Sequence, residues 1–109
     1  MTRLIPDDVA QDIPTLYGQD NTKDPVVYLR LFAPDAPATW WITEYSKRDK
    51  IAYGVCSILG TSDAEFAYLE IDELENALGP HGMHVERDYA FKPTPLSEVA
   101  KSQGLQLAI

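Results

Sequence analysis

The feature that most constrains this chain is a stretch with two adjacent tryptophans, residues 39–59 (TWWITEYSKRDKIAYGVCSIL). Two runs of alternating β-branched, aromatic and small residues flank a polar tip at Ser46–Lys50, and this pattern predicts a β-hairpin. Successive side chains on a strand point to opposite faces of the sheet, so Trp40 and Trp41 must lie on different faces. The small residues of the second run, Gly54 among them, predict room for a tryptophan ring on the neighbouring strand.

A sheet with a tryptophan on each face needs a cover on both sides. Uninterrupted alternation places Thr43 and Tyr45 with Trp41, and Glu44 with Trp40. We expect one ring in the core and the other buried under a helix, because burying tryptophan removes a large apolar area from water. The alternative is that Trp40 or Trp41 stands exposed, where it would be an aromatic anchor for a partner.

The remaining pattern predicts an α+β domain, with helices on one side of an antiparallel sheet of about four to five short strands. At 109 residues the chain is long enough for one core and too short for two, so we expect a single domain over residues 1–109. The predicted elements are a short helix within residues 1–12, an irregular loop at 14–25, a strand at Val26–Ala33, the hairpin, a turn at Gly60–Asp63, strands at Glu65–Leu69 and within 83–89, and two main helices at about 71–78 and 95–103.

The two main helices are predicted from apolar spacing and terminal signals. Ile71, Leu74 and Leu78 share one helical face, and Gly79–Pro80 would end that helix. Thr94 is expected to cap the last helix, with Pro95 at its first position and Gly104 at its end. In the early loop, Leu16 and Tyr17 are the apolar residues, and we expect them to pin the loop to the core.

The net charge is the most informative feature of the composition. The chain has 17 acidic and 9 basic residues, which give a net charge of −8. Such a chain should avoid nucleic acid and anionic membranes, and it could bind basic protein surfaces, including those that normally hold DNA. Acidity can also serve solubility alone. No uncharged run approaches the ~20 residues of a membrane helix, and the N-terminus lacks the layout of a signal peptide, so we expect a cytoplasmic protein.

The acids concentrate in one part of the chain, which we call the acidic segment. No Lys or Arg occurs between Lys50 and Arg87. The segment is open to two interpretations, a solvated surface or an anionic surface for a basic partner. Catalysis by paired carboxylates is disfavoured, because it needs two acids facing each other across a cleft. The acids of the segment are Asp63, Glu65, Glu70, Asp72, Glu73 and Glu75.

The residue types that serve other proteins as nucleophiles, metal ligands or phosphate-binding loops are not arranged for those roles in this sequence. Cys56 lies mid-strand among apolar residues, where a thiol is usually inert. His81 and His84 lie in a Gly/Pro turn and not on one helical face, which disfavours a metal site. The GPHG turn at 79–82 follows a helix, whereas a phosphate loop precedes one. We therefore predict no catalytic residue, no metal and no cofactor, and a protein that is not an enzyme.

Several stretches together resemble a small bacterial domain family of unknown function that is found in phages, plasmids and other mobile elements. They are IPTLY at 13–17, TWWITEY at 39–45, YGVCSILG at 53–60 and AYLEIDELENALGPHGMHVERDYAFKPTPLSEV at 67–99. The resemblance covers nearly the whole chain, and its most specific parts are LEIDELE, VERD and FKPTPLSE. The family brings no catalytic residues. Where relatives often have a small polar residue before the central helix, this chain has Glu70.

The resemblance implies a small accessory protein of a mobile element, and such proteins often bind and block host restriction or CRISPR machinery. Together with the charge, this suggests an inhibitor that presents a DNA-mimicking negative surface to a nucleic-acid-binding defence complex. Two alternatives remain open from the sequence. One is a ligand-binding or enzymatic domain with a pocket beside Trp40 or Trp41, and the other is a structural subunit of a larger assembly.

Overall fold

The computed structural model describes residues 4–58 and 63–107, which form three short helices and eight strands. None of these helices is long and apolar enough to cross a membrane. Residues 60–62 of the predicted turn, and Leu59 at the end of the predicted hairpin, lie outside the described residues. The elements are α1 (Asp7–Ala10), β1 (Val26–Val27), β2 (Leu29–Phe32), β3 (Thr39–Ser46), β4 (Ile51–Ser57), β5 (Asp63–Glu70), α2 (Ile71–Asn76), β6 (Glu86–Arg87), β7 (Thr94–Pro95), α3 (Leu96–Gln103) and β8 (Gln106–Leu107).

The fold is dominated by strands. Within the described residues, a six-stranded main sheet has the order β6-β2-β3-β4-β5-β8, and β1 pairs with β7 in a separate two-stranded sheet. Neighbours in the main sheet are antiparallel except β5 and β8, which run parallel. The prediction of an α+β fold with an antiparallel sheet and two main helices is therefore wrong. The hairpin at its centre is confirmed, with β3 and β4 paired along its length.

The central helix is shorter than its apolar spacing suggested. α2 ends at Asn76, and Ala77 already has an extended backbone. Leu78 forms an isolated β-bridge with His84 and is 60% exposed, so it does not continue the buried helical face. The Asp35 carboxylate holds this turn, because it accepts hydrogen bonds from the backbone N–H groups of residues 81 and 83 at 2.8 and 3.2 Å. The β-bridge between Leu78 and His84 thus takes the place of the last turn that the sequence predicted for the central helix.

A β-bulge in β3 changes which side chains share a face. The register with β4 shifts between Ile42 and Glu44. One extra residue inverts the alternation beyond it, so Tyr45 lies with Ile42 on one face while Glu44 lies opposite Tyr53 on the other. The prediction that Tyr45 shares a face with Trp41 is wrong for this reason. We call the side of the main sheet that carries Trp41 the front face, and the opposite side the back face.

Gly54 is required where the bulge brings β3 close to β4. A Cβ atom at this position would lie 2.0 Å from the carbonyl oxygen of Trp41 and 2.9 Å from the Cα of Ile42. The clash is with backbone, which has no rotamer to move away. The sequence pattern predicted that this glycine makes room for a tryptophan ring, but the space that it leaves is taken by the neighbouring backbone.

Each tryptophan is buried in its own core. Trp40 is 8% exposed and Trp41 is 3% exposed, so the expected burial of both rings is confirmed, and the alternative of an exposed aromatic anchor at either position does not hold. Both faces are covered by helices, not one face as predicted. The back-face cluster includes Trp40, Leu31, Ile42, Tyr45, Ala10 of α1 and Ile71 of α2. The front-face cluster comprises Trp41, Val27, Val55, Ala64 and, from α3, Leu96 and Val99.

The last helix begins at Leu96 and ends before Gly104, which has the left-handed backbone expected of a helix end. Its N-terminal cap is not the predicted Thr94, whose hydroxyl donates to the carbonyl of Lys92 instead. The N-cap residue is Pro95, and the first turn is instead held by Asp24, which accepts hydrogen bonds from the Ser97 N–H at 2.9 Å and from the Ser97 hydroxyl at 2.6 Å. A residue 73 positions away thus ties the early loop to α3.

We expect Asp24→Asn to lower the melting temperature at neutral pH and to have little effect in acid. The side-chain and backbone hydrogen bonds from Ser97 hold the pKa of Asp24 below its ordinary value of 3.8. Because the folded-state pKa is the lower one, the stabilisation is full above the unfolded value and is lost as pH falls through the folded value. Thermal unfolding of both proteins across this pH range measures the effect. A difference that is the same at every pH would contradict this role.

Candidate functional site

Four aromatic side chains form an exposed cluster on the part of the front face that α3 does not cover. We call this cluster the aromatic patch. Tyr17 is 64%, Tyr68 56% and Phe66 36% exposed, and Tyr53 lies half-buried between them. The ring of Tyr53 stacks on Phe66 with centroids 5.7 Å apart, and it contacts Tyr68 at 4.8 Å. Exposed aromatic clusters of this kind are uncommon on protein surfaces and mark interaction sites.

The strand register produces most of the patch. Tyr53 on β4 is the cross-strand partner of Tyr68 on β5, and Val55 is the partner of Phe66. Cross-strand partners and residues two apart share a face, so the three aromatic rings lie beside one another. Val55 continues the same row into the front-face core under α3. The patch is therefore an exposed extension of that core, held on rigid strands.

The fourth ring comes from the loop at 14–25, which is fixed by side-chain hydrogen bonds. The buried carboxylate of Glu44 accepts the backbone N–H of Tyr17 at 2.8 Å and that of Gln19 at 2.9 Å. The Gln19 side chain in turn bonds the backbone of Val26 and Thr43. Tyr17 is held at φ 68°, a conformation that few side chains adopt. Its ring is exposed at the margin of the patch and does not pin the loop to the core as predicted.

Acidic groups surround the patch. Burial, followed by the negative charges of Glu44 and Asp20, raises the pKa of Tyr53. A side-chain hydrogen bond with Tyr17 is the main cause that raises the pKa of Tyr68, to which Asp20 also contributes. Both phenols therefore stay neutral at physiological pH, and their rings lie in a negative local field. A negative field around electron-rich ring faces favours a cationic group.

The acidic segment is divided between the two ends of β5. Asp63 and Glu65 lie near its start, about 24 Å and about 17 Å from Glu70 at its end, at the usual rise of a strand. Asp72 is 3.3 Å from the Nζ of Lys50, and Glu75 accepts the backbone N–H of Leu4 at 2.7 Å. The six acids therefore do not form one continuous row. Phe66 and Tyr68 lie between the two groups.

At the end of β5, Glu70 and Glu73 lie close enough to share a hydrogen bond. That bond, together with the charges of Glu73 and Asp72, raises the pKa of Glu70. Neighbouring negative charges disfavour the ionised form of Glu70, so a positively charged partner at this end would favour that form. This end of the acidic segment borders Tyr68, which lies two residues before Glu70 on the same face.

In the part of the chain that the structure describes, we find no cluster of groups arranged for catalysis or metal binding. Burial and the Glu65 charge raise the pKa of the Cys56 thiol, which disfavours its nucleophilic thiolate form. Within residues 4–58 and 63–107, no group of three or more His, Cys, Asp or Glu side chains is placed to hold a metal ion. A back-face cleft of about 100 Å³ is well below the size of a typical ligand site, and neither tryptophan lines it. Its lining residues are Ile5, Asp7, Tyr45, Lys47, Lys50, Ile71 and Glu75.

The aromatic patch was not predicted from the sequence. Alternation was visible in β4 and β5, and it places Tyr53 on one face and both Phe66 and Tyr68 on one face of the other strand. What the sequence did not reveal is how far α3 extends over the front face. Tyr17 gave no signal at all, because its position depends on the hydrogen bonds to Glu44 across 27 residues.

Comparison with known proteins identifies a family but no activity. A family model described as "Protein of unknown function (DUF2958)" matches residues 4–105. No curated protein and no solved structure matches the chain significantly. The match spans almost every element of the fold, including the patch and both tryptophans.

Proposed function

Because this chain belongs to the DUF2958 family, which has no assigned function, we propose its role from the surface that it presents. We propose that it is a non-enzymatic binding protein that docks a basic segment of a partner protein on the aromatic patch. The observation that carries the proposal is the contact of Tyr53 with Phe66 and Tyr68 on an exposed sheet face, bordered by acids.

The arrangement has the composition of a protein interface. Binding energy in such interfaces concentrates in central aromatic residues, and charged residues lie at the rim. Here the centre is aromatic, and the rim carries Asp20 from the loop and Glu70 at the end of β5. Tyr53 and Tyr68 also present ring faces that can hold an arginine or lysine side chain. The centre would supply affinity, and the rim would select partners of positive charge.

The net charge of the whole chain also favours a basic partner. A net charge of −8 attracts basic surfaces and raises association rates with them, at low salt above all. The same charge opposes contact with nucleic acid or with anionic lipid. The proposed partner is therefore a protein, and binding should weaken as salt concentration rises.

The finer part of the proposal comes from the family resemblance. We propose that the protein acts in the cytoplasm as an accessory factor of a phage or other mobile element. Its partner would then be a nucleic-acid-binding defence complex of the host, of the restriction or CRISPR type. Such complexes carry basic grooves for DNA, and an acidic protein with an aromatic centre could occupy one. The division of the acidic segment favours an aromatic-centred contact over imitation of a regular row of phosphates.

Tyr68→Ala should weaken binding to a basic probe by about tenfold or more, because it removes a central exposed ring. The probe is a peptide of alternating arginine and threonine, and the measurement is a calorimetric or fluorescence titration. Tyr89→Ala is the matched control, since Tyr89 is also an exposed tyrosine, at 74%, but lies against Arg87 outside the patch. A peptide of alternating glutamate and threonine controls for charge. Equal effects of the two substitutions would refute the patch as the binding site.

A further inference from the structure

The outer edge of β5 is largely unpaired. β5 runs from Asp63 to Glu70, but β8 pairs with it only at Asp63 and Ala64. From Glu65 to Glu70, no strand formed by the described residues lies along this edge. The opposite edge of β5 is fully paired with β4 over the same length. An exposed edge of this kind offers a row of backbone hydrogen-bonding groups to another strand.

The register identifies which backbone groups face outward. The N–H of Ile71 donates to the carbonyl of Lys50 at 3.0 Å, which makes these two residues a hydrogen-bonded pair. Hydrogen-bonded pairs alternate along an antiparallel ladder, so Leu69, Ala67 and Glu65 bond to β4. The residues between them turn their N–H and C=O groups to the open edge. These are Phe66, Tyr68 and Glu70, two of which belong to the aromatic patch.

Several protections that natural edge strands carry are missing from this segment, whose charged residues are the two glutamates at its ends. Natural edges are commonly blocked by lysine, proline, a bulge or an inward-pointing charge. The sequence of residues 65–70 is EFAYLE, with no lysine and no proline. Its register with β4 continues from Glu65 to Glu70 without a shift. The edge is straight, accessible and rich in residues that favour strands.

We infer that the basic partner of the proposed function binds as an added strand on the outer edge of β5, with alternate side chains over the aromatic patch. This inference rests on the proposed function and specifies its binding mode. An added strand gains backbone hydrogen bonds from the edge, while its alternate side chains meet Phe66, Tyr68 and Glu70 on the front face. Arginine or lysine at those positions meets two rings and a carboxylate.

Charge decides between a basic strand and a second copy of this chain. A second β5 added to this edge would bring another segment with glutamates at both of its ends, from a molecule that also carries −8. Like charges on neighbouring strands are destabilising, so self-pairing is disfavoured. A segment with basic residues over the front face brings positive charge to Glu70 instead of a second carboxylate.

The test compares Glu70→Pro with Glu70→Gln in binding the peptide of alternating arginine and threonine. Both substitutions remove the carboxylate, but only proline removes the outward N–H. Glu70 has φ −83°, and the N-cap residues of α1 and α3 are already prolines, so the backbone accepts proline here. We expect Glu70→Pro to bind about fivefold more weakly than Glu70→Gln, as the loss of one hydrogen bond predicts.

Hydrogen exchange on the unmodified protein gives an independent readout. The amides of Phe66, Tyr68 and Glu70 should exchange rapidly in the free protein and slow when the peptide is added. Two results would overturn strand addition. One is equal affinity of the two Glu70 variants with no slowing of these amides, and the other is slowing that depends on protein concentration without peptide, which would identify a second copy as the occupant. If Tyr68→Ala still weakens binding in the first case, the proposed function stands and only the binding mode fails.

Discussion

Gly54→Ala is expected to lower the free energy of unfolding by about 3 kcal/mol or more, because the added methyl group would collide with the backbone of the neighbouring strand. The added Cβ would lie 2.0 Å from the Trp41 carbonyl oxygen, in a position where β3 must separate from β4 to relieve the clash. Separation would disturb the hairpin at its bulge, between the two cores. Denaturant unfolding followed by tryptophan fluorescence measures the loss, because both tryptophans are buried in those cores.

Gly82→Ala is the matched control for this substitution. Gly82 has φ +80°, and a Cβ atom added there would meet no other atom within 4 Å, so alanine carries only the cost of a left-handed backbone. That cost is about 1–2 kcal/mol. If Gly54→Ala destabilised the protein no more than Gly82→Ala, the close approach of the two strands would not be a constraint on the fold.

Glu44→Gln is expected to cost about 2 kcal/mol of stability and to release the loop that carries Tyr17. The carboxylate accepts one backbone N–H on each oxygen. Glutamine offers one oxygen, and its amide group would turn its own N–H toward the second donor, leaving a buried N–H without an acceptor. The substitution is nearly isosteric, so packing is preserved and the effect reports the hydrogen bonds. Chemical denaturation gives the stability, and the amide exchange rates of Tyr17 and Gln19 report the loop.

Glu65→Gln serves as the control, because Glu65 is an exposed acid on β5 and its neutralisation should change stability by no more than about 0.5 kcal/mol. Loss of the loop should also weaken binding of the arginine–threonine peptide, since Tyr17 would no longer border the patch. If amide exchange at Tyr17 and Gln19 were unchanged in Glu44→Gln, the buried carboxylate would not be what fixes the loop.

The hairpin could be predicted because the residues that define it are neighbours in the sequence. Alternation in β3 and β4 and a polar tip at Ser46–Lys50 are enough to define two paired strands. The bulge at Ile42–Glu44 could not be predicted in the same way, since the alternating pattern continues through it. The bulge is visible only in the pairing with β4, where Ile42 lies opposite Gly54 and Glu44 opposite Tyr53, so that β3 has one extra residue between them. That one residue decides that Glu44, and not Tyr45, lies on the front face.

The fold class was wrong because several strands are too short to have a pattern of their own. β7 and β8 each contain two residues and exist only because a distant strand pairs with them, whereas β1 and β6, equally short, fall within the strands predicted at Val26–Ala33 and within 83–89. The helix expected to reach Leu78 was cut short by a β-bridge to His84, held in turn by Asp35. Local apolar spacing cannot anticipate contacts that are made between residues far apart in the chain.

In the structure, Asp63 and Glu65 lie at the start of β5, Glu70 at its end, and Asp72, Glu73 and Glu75 in α2. The sequence singled out these acids as a partner surface, a role that stays a prediction. It did not single out Phe66 and Tyr68 between them, because an aromatic residue in a strand is expected to be buried. Whether such a ring is exposed depends on the reach of α3 and of the loop at 14–25, which is a property of the whole fold.

The central claim is that a basic partner segment binds on the aromatic patch. An NMR titration of the labelled protein with the arginine–threonine peptide tests it most directly. We predict saturable shifts concentrated at Tyr17, Tyr53, Phe66 and Tyr68, absent with the glutamate–threonine peptide, while the indole N–H signals of Trp40 and Trp41 stay in place. Shifts centred on the turn at 78–89, or spread without saturation over all exposed acids, would contradict the claim.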